Sequence, residues 1–146
     1  MSGKRYIQGK ILVSGKASGA ALVLDEPLSL WGGLNPHTGF ITDQRHPQKG
    51  LSVTGRVLVL PAGRGSSSAS SILLEAVRTK QAPAAILTSE TDGILALGAA
   101  VARELYDQAP PVIVLHSLDY ATIETDDWLT IDADGLISCH SAQDDS

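Results

Sequence analysis

"GRVLVLPAGRGSSSASSILLEAV", Gly55 to Val77, changes its hydrophobic period part-way along. Val57–Leu60 is an unbroken apolar run, as expected of a short strand buried on both faces. Beyond Ser66 the apolar residues fall at helical spacing: Ala69, Ile72, Leu73, Ala76 and Val77 lie at i, i+3, i+4, i+7 and i+8. Between the two patterns stands "GRGSSS", Gly63 to Ser68, two glycines and a cluster of hydroxyls. A strand that hands over to a helix through a glycine turn is half of a parallel βαβ unit, and the rest of the chain extends it.

"APAAILTS" reads as the next strand, and Asp92 as the cap of a second helix. On that helix Ile94, Leu97, Gly98, Val101 and Leu105 share one face and predict its buried side. "PPVIVLHS" supplies a third strand, and "WLTIDADGLISC" a closing hairpin that turns at Asp134-Gly135. Strand–helix–strand–helix–strand at these lengths implies a parallel sheet with right-handed crossovers. Upstream, "KRYIQGKILVSG" and "GAALVLDE" are β-rich runs. Pro27–Gly50 carries three prolines and four glycines, so it reads as a long loop, with Trp31, Phe40 and Ile41 arguing against disorder. The expected fold is α/β: a parallel β-α-β-α-β half with a β-rich N-terminal half laid against it. One domain over residues 1–146 is expected, with a frayed tail from Ser141 and no internal repeat.

Composition narrows the function. The chain has 146 residues, 43% hydrophobic and 18% charged, which is a globular balance. Net charge is −5 and the basic residues are scattered, so no nucleic-acid partner is expected. The longest apolar run, "ILALGAAVA", stops at Arg103, too short to span a bilayer. "MSGKRYIQGK" has no apolar signal-peptide region. The single cysteine, Cys139, can neither pair internally nor hold a metal alone, and a cytoplasmic location is the simplest expectation.

In an open α/β sheet, ligands bind at the carboxyl ends of the strands, where "GRGSSS" falls. The first N–H groups of the following helix suit a carboxylate or phosphate, although a serine there can equally serve as a plain helix cap. A Walker loop needs lysine where Ser66 stands, which removes nucleotide hydrolysis. A loose hydrolase elbow would make Ser67 the nucleophile, with Asp92 or Asp107 and then His116 as partners. A third chemistry makes a serine the general base, its alkoxide stabilised by main-chain donors beside Arg64.

The segments "GKASGAALVLDEPLSLWGG", "HTGFITDQRHPQKG", "GRVLVLPAGRGSSSASSILLEA", "APAAIL" and "DGILALGAAVARELY", in this order, resemble the small subunit, or swivel domain, of the aconitase X family from about Ile7 to Cys139. The resemblance implies a swivelling β/β/α domain and a hydro-lyase, active only as a heteromer. In that family a larger catalytic subunit holds the iron–sulfur cluster, a Lewis acid on the leaving hydroxyl, and this chain would bind no cofactor itself. Ser66 would be the proton acceptor. Gly65, Ser67 and Ser68, with Arg64 beside them, would bind substrate oxygen or support the alkoxide. Ser68 stands where the more distant aconitase and isopropylmalate isomerase turns carry arginine, so that carboxylate clamp is missing. Bacterial members of the family dehydrate cis-3-hydroxy-L-proline to pyrroline-2-carboxylate and archaeal members dehydrate mevalonate 5-phosphate; the "GRGSSSAS" turn and "WGG" loop look closer to the bacterial type. Two rivals stay open: a small serine hydrolase, and a non-catalytic swivel binding domain, although a phosphocarrier would need a histidine within 66–71.

Other residues carry weaker signals. Trp31 with Gly32 and Gly33 would close over the site, press on the larger subunit, or pack on the core. His46 is either a site contributor or, more commonly for its context, an exposed loop residue. Asp43 and Arg45 would pair with each other. His37 and His140 read as surface residues and His116 as a buried, satisfied one. Glu124, Asp126 and Asp127 read as a solvated turn.

Overall fold

A computed structural model describes residues 4–62 and 68–142. The strands are β1 (Arg5–Gln8), β2 (Lys10–Val13), β3 (Ala17–Val23), β4 (Val57–Leu60), β5 (Ala85–Thr88), β6 (Val112–Val114), β7 (Trp128–Ile131) and β8 (Leu136–His140). The helices are α1 (Leu30–Gly33), a single distorted turn, α2 (Ser68–Arg78), α3 (Gly93–Tyr106) and α4 (Ser117–Tyr120).

The strand order is β1-β8-β7-β3-β4-β5-β6-β2. β3 through β6 pair in parallel, as the βαβ pattern predicts, while β7, β8 and β1 continue antiparallel from the other side of β3 and β2 runs antiparallel on β6. The β-rich part is therefore not a separate layer. β3 joins the halves: Ala17–Ala20 pair with β7, and Ala21–Val23 pair with β4.

β1 and β2 stand at opposite ends of that order, yet only Gly9 separates them in sequence. The sheet must curl until its two ends come together at this one broken strand. Gly9 is required at the seam, because a Cβ there would lie 2.2 Å from Ile113 Cγ2.

Closure sorts the strand side chains into two cores. Ile7, Val57, Val59, Ala85, Leu87, Ile113, Leu129, Ile131, Ile137 and Cys139 fill the barrel interior. The alternate residues Leu22, Leu58, Leu60, Ile86 and Val112 face outward, under α2, α3 and the 27–50 loop. That alternation is why the runs Val57–Leu60 and Ala85–Thr88 are buried at every position.

α2 buries Ala69, Leu73, Ala76 and Val77, as its spacing predicts. α3 does not follow its leucines. It buries Leu95, Gly98, Ala99 and Ala102, while Leu97 and Leu105 are 55% and 61% exposed. Small residues win this face because α3 lies close against α2: a Cβ on Gly98 would sit 3.0 Å from the Ser70 carbonyl oxygen. Asp92 caps α3 as expected, its Oδ1 accepting from the N–H groups of Ile94 and Leu95 at 3.1 and 3.0 Å. The β7–β8 hairpin turns at Asp134-Gly135, with Gly135 at φ +86° and the Leu136 N–H donating to Asp134 Oδ1.

The Pro27–Gly50 stretch is a loop, as expected, and it is held by aliphatics rather than aromatics. Leu28, Leu30, Leu34 and Ile41 are buried in the outer core, whereas Trp31 and Phe40 are exposed.

Candidate functional site at the carboxyl edge

The parallel strands end together at one edge. β4 stops at Leu60, and α2 begins at Ser68. Gly63, Arg64, Gly65, Ser66 and Ser67 lie outside the described residues, so the edge is built from what flanks them. On the entry side, the Pro61 carbonyl accepts two hydrogen bonds from Ser89, at 3.2 Å from the N–H and 3.1 Å from the hydroxyl. Thr88 is fully buried, and its hydroxyl donates to the Glu90 carbonyl at 2.6 Å. The Leu115 N–H then donates to the Thr88 carbonyl at 2.8 Å. Three successive strand ends are thus tied together around the start of the glycine turn. Sequence reasoning passed over Thr88 and Ser89; their signal was a polar pair at the end of a buried apolar strand, on the same edge as the serines.

On the exit side Ser68, half-buried, opens α2. The N-terminal turn of α2 is seated on α3, where Ser70 meets Gly98. α2 has no acidic residue in its first turn. An acidic side chain there would offset the positive end of the helix dipole, as the Asp92 cap does for α3.

A sequence model of the aconitase X swivel domain matches residues 6–139. The chain belongs to the aconitase X swivel domain family. It is 41% identical over 140 residues to a cis-3-hydroxy-L-proline dehydratase of Pseudomonas aeruginosa, covering 96% of this chain but 24% of that one. It is 32% identical over 128 residues to the phosphomevalonate dehydratase small subunit of Thermococcus kodakarensis, covering 88% of this chain and 90% of that one. The crystal structure of Thermococcus kodakaraensis aconitase X in its holo-form superposes with a TM-score of 0.83 at 31% identity, covering 94% of this chain and 99% of that one. The swivel domain therefore spans about a quarter of the length of the hydroxyproline dehydratase it matches, and nearly all of the small subunit.

Within this swivel domain His46 is 5% exposed, not a surface residue. Both ring nitrogens bond to main chain: Nε2–H donates to the Glu26 carbonyl at 3.1 Å, and Nδ1 accepts from the Gln48 N–H at 3.1 Å. Asp43 accepts from the main-chain N–H of Arg45 at 3.0 Å rather than from its guanidinium. Trp31 is 62% exposed, which removes the core-packing reading, while Gly33 beside it is buried. His116 is exposed rather than buried; its Nδ1 accepts from the Leu118 N–H and caps α4. His37 is exposed, 3.7 Å from Glu75, as a surface residue should be, whereas His140 is half-buried on β8. The Arg78 hydrogen bond holds the Glu75 carboxyl below the usual carboxylate range.

Asp127 overturns the solvated-turn reading. It is 2% exposed and accepts from the N–H groups of Glu124 and Ala142, with Arg5 Nη2 at 3.8 Å. Asp126 does reach solvent and pairs with Arg56 at 2.9 Å. At the carboxyl edge, Tyr120 Oη is buried with no hydrogen-bond partner among the described residues. Burial pushes its pKa up to about 12, helped by the nearby Asp25 charge.

The iron–sulfur group expected of the family does not fit this chain's described residues. Among them no three His, Cys, Asp or Glu side chains come together to hold a metal ion. The Cys139 thiol sits inside the barrel, and burial pushes its pKa up to about 11. A thiol that ligates a metal must be accessible to it, and this one is fully buried. No helix among the described residues is long and apolar enough to cross a membrane.

Proposed function

We propose that this chain is one swivel domain, the small subunit of a heteromeric hydro-lyase, which delivers Ser66 as the base for dehydration of cis-3-hydroxy-L-proline. The observation that carries the reading is the placement of β4 and α2: the strand ends at Leu60 at the carboxyl edge of the parallel strands, and the helix that follows starts at Ser68 with no acidic residue in its first turn. A serine at such a helix entrance gains basicity because N–H dipoles stabilise its alkoxide. In the reaction, Ser66 Oγ takes the proton from the carbon next to the hydroxyl-bearing one. The C–H electron pair becomes the new double bond, the hydroxyl leaves as hydroxide and takes up a proton from solvent to become water, and Ser66 returns its own proton to solvent. Gly65 and the N–H groups of Ser67 and Ser68, with Arg64, hold the substrate oxygen or the alkoxide. The iron–sulfur group belongs to a larger polypeptide, and the chain works in the cytoplasm.

Two considerations favour an amino-acid substrate over a phosphate ester. The likeness to the hydroxyproline dehydratase, 41% identical, extends over 96% of this chain, whereas the phosphomevalonate dehydratase small subunit of equal identity matches 64% of it. Moreover, beyond Arg64 of the turn itself, the edge segments Leu24–Pro27, Ser89–Asp92 and Leu115–Asp119 add Asp25, Glu26, Glu90, Asp92 and Asp119 but no Lys or Arg. Mevalonate 5-phosphate is the second reading, supported by the likeness to phosphomevalonate dehydratase small subunits.

The test is anaerobic co-production with the larger aconitase X polypeptide of the same organism and assay on both substrates. Ser66→Ala should leave the complex intact and lower kcat at least 100-fold, the usual scale for a general base. A variant that keeps most of its turnover removes Ser66 from the mechanism. Ester hydrolysis by the chain alone would favour the hydrolase instead.

A further inference from the structure

Trp31 combines exposure with restraint. Its loop leaves the carboxyl end of β3 and packs along α2, and Leu30 and Gly33 on either side of the tip are buried. The Thr42 N–H donates to the Gly33 carbonyl at 2.9 Å, and its hydroxyl to the Gly32 carbonyl at 3.3 Å. Ser29 Oγ donates to the Trp31 carbonyl at 3.3 Å. Gly32 takes φ +77°, which turns the chain so that the indole stands outward; a Cβ on Gly33 would meet Leu28 Cδ1 at 3.0 Å.

The two ends of this loop are clasped together. His46 donates to Glu26, and Gln48 returns the tie, its Oε1 accepting from the Asp25 N–H at 3.2 Å. The buried imidazole thus holds residues 46–48 against residues 25–26, and the Trp31 tip lies within the segment that this clasp closes.

We propose that the Trp31-Gly32-Gly33 tip is a preorganised docking anchor for the larger polypeptide of the hydro-lyase, and that His46 is the positioning residue that holds it. The inference rests on the proposed heteromer. Tryptophan dominates interface hot spots, and an anchor already ordered in the free protein loses little entropy on binding. The occupant is argued from the family's two arrangements. In one relative these residues make up 24% of a longer chain, and in others they form a separate small subunit. In both, a second and larger body accompanies this domain, and here a large indole is left uncovered beside the helix whose entrance carries the candidate base.

The test measures the dissociation constant between this chain and the larger aconitase X polypeptide, with melting temperature recorded for each variant. Trp31→Ala should weaken binding tenfold or more without lowering the melting temperature, since the side chain is exposed. His46→Ala should weaken it several-fold, and His46→Gln, which keeps a donor and an acceptor, should recover part of the loss. Because His46 acts through the tip, Trp31→Ala/His46→Ala should bind no more weakly than Trp31→Ala alone. Wild-type affinity for Trp31→Ala, or full additivity in the double variant, overturns the proposal. A raised KM with unchanged subunit affinity also overturns it, since the tip would then cover substrate. Failure of the wild-type chain to bind the larger polypeptide at all would sink the heteromer itself.

Discussion

Gly98→Ala joins packing to catalysis in one methyl group. The new Cβ would lie 3.0 Å from the Ser70 carbonyl oxygen, 3.1 Å from its Cα and 3.3 Å from its Cβ. Two of these neighbours are backbone, so the helices must separate by a few tenths of an ångström. Overpacking of this kind costs about 1–3 kcal/mol. Replacing glycine by alanine inside a helix returns about 1 kcal/mol. The net is a loss of about 0–2 kcal/mol, a drop of up to roughly 8 °C in melting temperature for a domain of this size. The larger effect should be on turnover. Ser70 is in the first turn of α2, immediately after the candidate base segment, so a displaced α2 misaligns Ser66. Misplacement of 1 Å can cost about 100-fold, so a few tenths should lower kcat on the order of tenfold. Thermal unfolding of the chain and steady-state turnover of the complex measure the two effects. A variant that melts higher than wild type, as helix propensity alone dictates, and turns over normally would show room between the helices and refute the reasoning.

Asp127→Ala removes a carboxylate that satisfies two main-chain N–H groups beside Arg5; unfolding in urea should register a loss of about 2–3 kcal/mol, and a loss within measurement error would argue against the burial of this group. Tyr120→Phe deletes a buried hydroxyl with no partner among the described residues and should raise stability by about 1 kcal/mol; a clear loss would mean that the hydroxyl is bonded after all. The Cys139 thiol, buried with its pKa raised from 9.0 to about 11, should resist a disulfide reagent at pH 8 until the protein unfolds, and prompt labelling of the native chain would contradict its place in the barrel. Between pH 9 and 11 the unfolded chain loses the Cys139 proton first, so stability falls as pH rises through that window; Cys139→Ala should flatten this limb of a stability–pH profile, and an unchanged limb would assign it elsewhere.

The local elements were legible because their signals are local. Val57–Leu60 and Ala85–Thr88 read as buried strands, Asp92 caps the helix that it precedes, and Asp134-Gly135 makes the turn that this pair favours. Side chains at fixed spacing and the preferences of one turn decide such features, and neighbours in sequence supply both. The ordered segments that carry the family resemblance are likewise a property of the chain as written, and with them the choice of the serine turn as the candidate site.

Other features depend on which surfaces meet. Gly9 looks like any glycine between two β-rich runs; it becomes a seam only when β1 and β2 find β8 and β6 at opposite ends of one sheet. Leu97 and Leu105 promised a buried face, but the face that α3 buries runs through Leu95, Gly98, Ala99 and Ala102, and α2 approaches Gly98 so closely that a Cβ there would meet Ser70. His46 and Asp127 had the look of solvated loop residues, and each is buried where it joins a main-chain group a few residues away to one from a remote segment, Glu26 for His46 and Ala142 for Asp127. Hydrophobic period reports how apolar a position is. Closure of the barrel and the distance between two helices determine what that position touches, and these arise only when residues far apart in the chain are packed together.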